Sequence, residues 1–186
     1  MKLRAFIAVP TAEEVRDRIA KLQSRLIESD AHVKWETSAK FHITLKFLGD
    51  TEDQTLADLS TRLQPALLAL PSFDIIYDAL GAFPNVNQPR IVWIGAPASD
   101  AIRLVQNRVE EVCNELSFGR EDRPFHPHIT LGRVKGNRNR PRLTEQLKNT
   151  TFEPIQTHCT AVHIMRSELK PTGSIYTLLN SIPLKS

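Results

Sequence analysis

The chain has 186 residues, 41% of them hydrophobic and 24% charged, which is ordinary globular composition and excludes a chain disordered by composition. Its formal charge of +3 and pI of about 9.0 admit a polyanionic partner without demanding one. Its two cysteines, Cys113 and Cys159, lie in separate apolar-periodic segments, which argues against a disulfide framework or a cysteine zinc site.

In chain order, Leu3 to Val9 reads as a buried strand ended by Pro10. No apolar run reaches the length of a membrane span, and this first one meets Pro10 and charged residues rather than a cleavage site. A cytoplasmic protein with no membrane partner is expected. From Thr11 to Glu28, Val15, Ile19, Leu22 and Leu26 recur at helical spacing, with Thr11 and Glu14 as a capping box. A short strand around His32 to Glu36 precedes the strand His42 to Leu48. There Ile43, Leu45 and Phe47 alternate with His42, Thr44 and Lys46, so the two sets should occupy opposite faces. Gly49 and Asp50 end it, and Leu56, Leu59, Leu63, Leu67 and Leu70 mark a second helix.

A strand near Phe73 to Leu80, a loop from Phe83 to Pro89 and a strand from Arg90 to Gly95 come next. The third helix, Ser99 to Leu116, carries Ile102, Val105, Val109, Val112 and Leu116 on one side. Phe125 to Val134 contains a second copy of the tetrapeptide His-Ile-Thr-Leu, at His128 to Leu131. A short helix near Arg142 to Lys148 and two strands, Gln156 to Arg166 and Ser174 to Ile182, complete the chain.

The two motif histidines stand 86 positions apart, and the same offset carries Ile91 to Ala96 onto Ala5 to Pro10 and the third helix onto the first. Half-repeats of roughly 1–80 and 88–168 are therefore expected, with the C-terminal strand completing the sheets. With no Gly-rich strand-to-helix turn, and last strands lacking a crossover helix, a doubly wound parallel sheet is disfavoured. The expected fold is α+β, two pseudo-symmetric lobes with mainly antiparallel sheets and outer helices around a central cleft.

A period of two places each motif's His and Thr on one face while Ile and Leu enter the packed side. A pseudo-twofold would bring the two His/Thr faces together across the cleft. Two imidazoles near neutral pKa can serve as base and acid on opposite sides of a phosphorus atom. The hydroxyls of Thr44 and Thr130 could hold the non-bridging oxygens. This set suits phosphodiester hydrolysis without a metal or cofactor.

Two other readings compete. His126 and His128 have chelating His-x-His spacing, although no nearby carboxylate or cysteine obviously completes a ligand set. The basic stretch Arg133, Lys135, Arg138, Arg140 and Arg142 would suit a non-catalytic RNA-binding module, or simply a solvated loop. Arg133 directly follows the second motif, but strict alternation turns it away from His128. Contact with a phosphate would need the strand to end or twist there. His32, His158 and His163 read as surface or packing residues.

At these residues the chain resembles the two-histidine phosphoesterase superfamily, and within it the bacterial and archaeal RNA 2′,3′-cyclic phosphodiesterases, also known as 2′-5′ RNA ligases. Arg4 to Ala8, Trp35 and His42 to Gly49 carry the first part of the resemblance. Phe83-Pro84, Pro89-Arg90 and Trp93 carry the middle. Phe125, Pro127 to Leu131, Arg133, Ser167, Leu169, Gly173 and Tyr176 carry the rest. The resemblance implies a bilobal fold and metal-free opening of an RNA 2′,3′-cyclic phosphate to a 2′-phosphate. It implies that His42 donates a proton to the leaving O3′ and that His128 activates water. Reversible 2′-5′ joining would be the same chemistry with a ribose hydroxyl in place of water. RNA bearing a cyclic phosphate end is the implied partner, a monomer the simplest assembly, and a small cyclic nucleotide the alternative substrate.

Overall fold

The computed structural model describes residues 1–171 and 173–186. Its first strand, β1 (Lys2–Pro10), is buried from Ala5 through Val9 and lies between β9 and β3 in the interior of its sheet. Helix α1 (Glu13–Ile27) buries Val15, Ile19, Leu22 and Leu26, as its periodicity predicts. Its N-cap is Ala12 with no side-chain cap, so the Thr11–Glu14 capping box does not form; Thr11 is buried against the Tyr77 hydroxyl instead.

Strand β2 (Val33–Trp35) and a 3₁₀ turn (Ser38–Lys40) lead into β3 (His42–Glu52), and α2 (Asp53–Leu68) follows. The segment read as one strand, Phe73 to Leu80, is two: β4 (Phe73–Tyr77) and β5 (Ala79–Phe83), each in a different sheet. Then come β6 (Ile91–Gly95), α3 (Asp100–Glu115), β7 (His128–Val134) and α4 (Arg140–Asn149). The stretch Gln156 to Arg166 likewise divides at Thr160 into β8 (Ile155–Cys159) and β9 (Ala161–Lys170), before β10 (Gly173–Pro183).

Two four-stranded antiparallel sheets result, ordered β10-β9-β1-β3 and β2-β7-β6-β5, with β4 and β8 paired apart. The α+β, two-lobed architecture expected from the sequence is present. The repeats and the lobes are not the same pieces, however. The ends of β4 and β8 are crossing points: β5, which starts at the end of the first half and runs on past residue 80, pairs with β6 of the second, while β9, from the second half, pairs with β1.

Helices cross over too. Gln23 on α1 bonds to β7, and Glu110 on α3 bonds to β3. One continuous apolar core under both sheets results from this exchange. The strand equivalence also differs from the sequence offset. Pro10 pairs with His42 and Gly95 with His128, which relates β1 to β6 by 85 positions, while the histidines stand 86 apart. Among the described residues no helix is long and apolar enough to cross a membrane.

Candidate active site

Both motif strands begin on their histidine; β3 lies at the edge of its sheet beside β1, and β7 lies inside its sheet beside β6. Ile43, Leu45, Ile129 and Leu131 are buried, while His42, Thr44, His128 and Thr130 are half-buried on the opposite face, as alternation requires. The alternation then breaks at the same place in each motif. Ala8 pairs with Thr44 and Ile7 with Lys46, so Leu45 is an extra residue in β3. Trp93 pairs with Thr130 and Val92 with Gly132, so Leu131 is an extra residue in β7. Each is a β-bulge, and each inverts the parity of the residues beyond it.

The bulges change two sequence expectations. Lys46, expected beside His42, turns to the packed side, where its Nζ donates to Glu110 at 2.8 Å and to the Gly119 carbonyl at 2.7 Å. Phe47, expected in the core, points to the cleft face opposite Phe6 and is 65% exposed. In β7 the same inversion places Arg133 across from Ile91, on the face that carries Trp93 and Thr130. The strand does not need to end for Arg133 to reach the cleft. Burial raises the pKa of Tyr176, which stands beside His42, and the Arg133 charge opposes that rise; at His128 the same charge adds to a lowering caused mainly by burial.

The two imidazoles are pinned alike. His42 Nδ1 donates to the Lys40 carbonyl and His128 Nδ1 to the His126 carbonyl, each at 2.7 Å. A carbonyl can only accept, so Nδ1 carries the hydrogen in both rings and Nε2 is left for chemistry. The Thr44 hydroxyl lies 3.1 Å from His42 Nε2 and can donate to the neutral ring or accept from the charged one. Aromatic walls fix the ring planes. Phe6 stacks on His42 at 4.8 Å and Tyr176 meets it edge-on at 5.4 Å, while Phe83 meets His128 edge-on at 5.0 Å.

Burial is the main cause of a lowered pKa at both rings. It holds His42 down to about 4, against the Lys40 carbonyl bond and the Glu36 charge, which raise it; His128 adds a further lowering. His128 is lowered first by burial, opposed by its bond to the His126 carbonyl, and further by His126 and Arg133. The strands that carry the two rings, β3 and β7, pack against each other.

His126 packs edge-on against Phe83 at 5.3 Å. Among the described residues no group of three or more His, Cys, Asp and Glu side chains is placed to hold a metal ion, so the His126–His128 pair lacks a third donor. The basic stretch is only partly free. Arg138 pairs with Asp30 at 3.2 Å, and Asn139 binds the same carboxylate, tying this loop to the end of α1. His158 has a partner that its sequence neighbourhood does not reveal: its Nδ1 stands 2.6 Å from Asp74 Oδ1. His163 pairs with Ala8 in the row of Thr44, on the cleft face, with its basicity lowered by burial. Phe6, Phe47, Tyr176 and His163 are thus cleft residues that sequence reasoning did not assign. The bulge conceals Phe47 and strand exchange conceals His163; Tyr176 had a signal in the closing pattern.

Trp93 is held flat by glycine. A Cβ on Gly81 would lie 2.4 Å from the indole and one on Gly95 would lie 2.7 Å from it. These two positions on neighbouring strands form the bed on which the wall around His126 and His128 rests.

Comparison with known proteins agrees with this architecture. The profile of the 2′-5′ RNA ligase superfamily matches residues 10–171. A protein of Methanothermobacter thermautotrophicus named RNA 2′,3′-cyclic phosphodiesterase is 36% identical over 180 residues, covering 95% of this chain and 96% of its own. The crystal structure of TT0787 of Thermus thermophilus superposes with a TM-score of 0.80 at 27% identity, covering 98% of each chain. Escherichia coli LigT, complexed with 3′-AMP, has the same fold, with a TM-score of 0.80 at 22% identity over 100% of both chains. By the extent of the family match and the identity to its relative, the chain belongs to the 2′-5′ RNA ligase superfamily.

Proposed function

We propose that the protein hydrolyses RNA 2′,3′-cyclic phosphodiester ends to 2′-phosphomonoesters by histidine acid/base catalysis. The observation that carries the reading is the matched pinning of His42 and His128 through Nδ1, which leaves two Nε2 atoms for one cleft. His128 Nε2 takes a proton from water as the water oxygen attacks phosphorus. The P–O3′ bond breaks on the far side, and O3′ receives the proton held by His42 Nε2. One water is consumed, and the two rings exchange protonation states with solvent before the next turnover. Thr44, Thr130 and Arg133 hold the non-bridging oxygens, and the exposed ring of Phe47 offers a stacking surface for the terminal base. The name of the Methanothermobacter relative supports this substrate, and a monomer in the cytoplasm is the assembly and location we assign with it.

The test is product analysis on a short RNA ending in a 2′,3′-cyclic phosphate, in excess chelator, resolving 2′- from 3′-phosphate. His42→Ala and His128→Ala should each lower kcat by about 10²-fold or more. Full activity in either variant would sink the paired-histidine mechanism. RNA binding without turnover in the unaltered protein would favour a binding module.

A further inference from the structure

Beside the histidines, two lysines that the hydrolytic mechanism leaves unused cluster with Arg133. Lys34 on β2 is the direct cross-strand partner of Arg133 on β7, so the two side chains share the cleft face of that sheet. Both are exposed, and among the described residues neither makes an ion pair. Like charges placed directly opposite in a sheet repel and cost stability. A third cation joins them from the 3₁₀ turn. A Cβ on Gly173 would lie 3.5 Å from Lys40 Nζ and 3.7 Å from Lys34 Nζ, so both ammonium groups converge on one point at the start of β10.

Glu36, bonded to Lys40 at 3.3 Å, is the only carboxylate paired within this trio among the described residues. The cluster is adjacent to the chemistry. Lys40 Nζ stands 5.8 Å from the centre of the Tyr176 ring, which also packs against Phe6 and His42. The positive φ of Gly173, +137°, is a conformation that side-chain-bearing residues seldom adopt, and it keeps that point open.

Resting on the phosphodiesterase reading above, we infer that Lys34 and Lys40 form a second phosphate subsite. It takes the phosphodiester on the 5′ side of the terminal nucleotide while Arg133 serves the cyclic phosphate. Lys40 is already drawn to Glu36, so Lys34 is the freer of the two ammonium groups and carries most of the new contact. The repulsion between Lys34 and Arg133 is offset only when two phosphates lie over them, so the subsite selects RNA ends over mononucleotides.

The experiment compares kcat/KM for a nucleoside 2′,3′-cyclic phosphate with that for a dinucleotide ending in the same group. The unaltered protein should prefer the dinucleotide. Lys34→Gln should lower the ratio of the two values about fivefold, the size of one exposed charge-assisted phosphate contact, and Lys34→Arg should retain it. For the dinucleotide, the dependence of log kcat/KM on log salt should become shallower by about 0.7 in Lys34→Gln. The Tm without RNA should not fall, because the substitution removes a repulsion. A ratio and salt slope unchanged by Lys34→Gln, with both substrates still turned over, would overturn the subsite alone. No turnover of either substrate by the unaltered protein would overturn the phosphodiesterase reading and the subsite with it.

Discussion

His42, the proton donor of the proposed mechanism, is neutral at rest. Burial holds His42 near 4, so the free protein carries an uncharged ring at neutral pH. A bound phosphodiester brings negative charge against that ring and favours its protonated form, raising its pKa in the complex. Since kcat/KM reports the free protein and kcat the complex, the alkaline limb of kcat should lie at higher pH than that of kcat/KM. Paired pH profiles on one cyclic phosphate substrate measure this, and coincident alkaline limbs would mean that bound substrate does not raise the basicity of the paired rings. The glycine bed under Trp93 makes a second residue-scale prediction. In Gly81→Ala the new methyl overlaps the indole, which must leave its seat beside His126 and His128. Denaturant unfolding should show a loss of about 1–3 kcal/mol. A stability equal to the parent would mean that the indole is not held.

A bulge in each motif strand sets which side chains face the cleft, and each bulge is gripped by a helix from the other half. Gln23 on α1, itself buried, donates to the carbonyls of Leu131 and Glu36 at 2.9 and 2.8 Å. Glu110 on α3 accepts from Lys46, whose side chain is 4% exposed. Gln23→Ala should therefore cost about 1–2 kcal/mol, because the Glu36 carbonyl loses its side-chain donor and the Leu131 carbonyl keeps only the Glu36 N–H at 2.8 Å. It should also lower kcat/KM, because Arg133 follows the released bulge. Retention of full activity at reduced stability would separate the bulge from the placement of Arg133. These clamps also explain how much of the site was legible in the sequence. The alternation of His42 through Leu45 is local, and it correctly assigned the faces of both motifs. The inversions at Leu45 and Leu131 depend on distant partners. Glu110 lies 64 residues from the Lys46 it holds and Gln23 lies 108 from Leu131, so no local pattern announces them. Arg133 is where the gap showed, as a basic residue with chemical reason to face the cleft and the wrong parity to do so. Strand breaks at Asp78 and Thr160 were hidden for a related reason, since both flanking segments are β-formers and only their partners differ.

Across the whole molecule, each half completes the other's sheet, so neither half should retain its sheet without the other. Half-buried histidines make that shared fold sensitive to acid. His42, His128 and His163 all have basicity lowered mainly by burial. In the unfolded chain each returns to about 6.5. Between that value and its folded value, the unfolded state binds more protons than the folded one, so stability rises with pH and is lost as pH falls. For His42 the window runs from 6.5 down to about 4 and corresponds to about 3 kcal/mol at most, since the ring keeps some contact with cleft water. His42→Phe keeps an aromatic ring between Phe6 and Tyr176 but cannot take up the proton. Denaturant unfolding of parent and variant at pH 7.5 and pH 4.5 isolates the effect, because carboxylates titrate alike in both. The parent should lose more stability than the variant on going to the lower pH, by an amount approaching that figure. Equal losses would mean that His42 is as easily protonated in the folded cleft as in the unfolded chain.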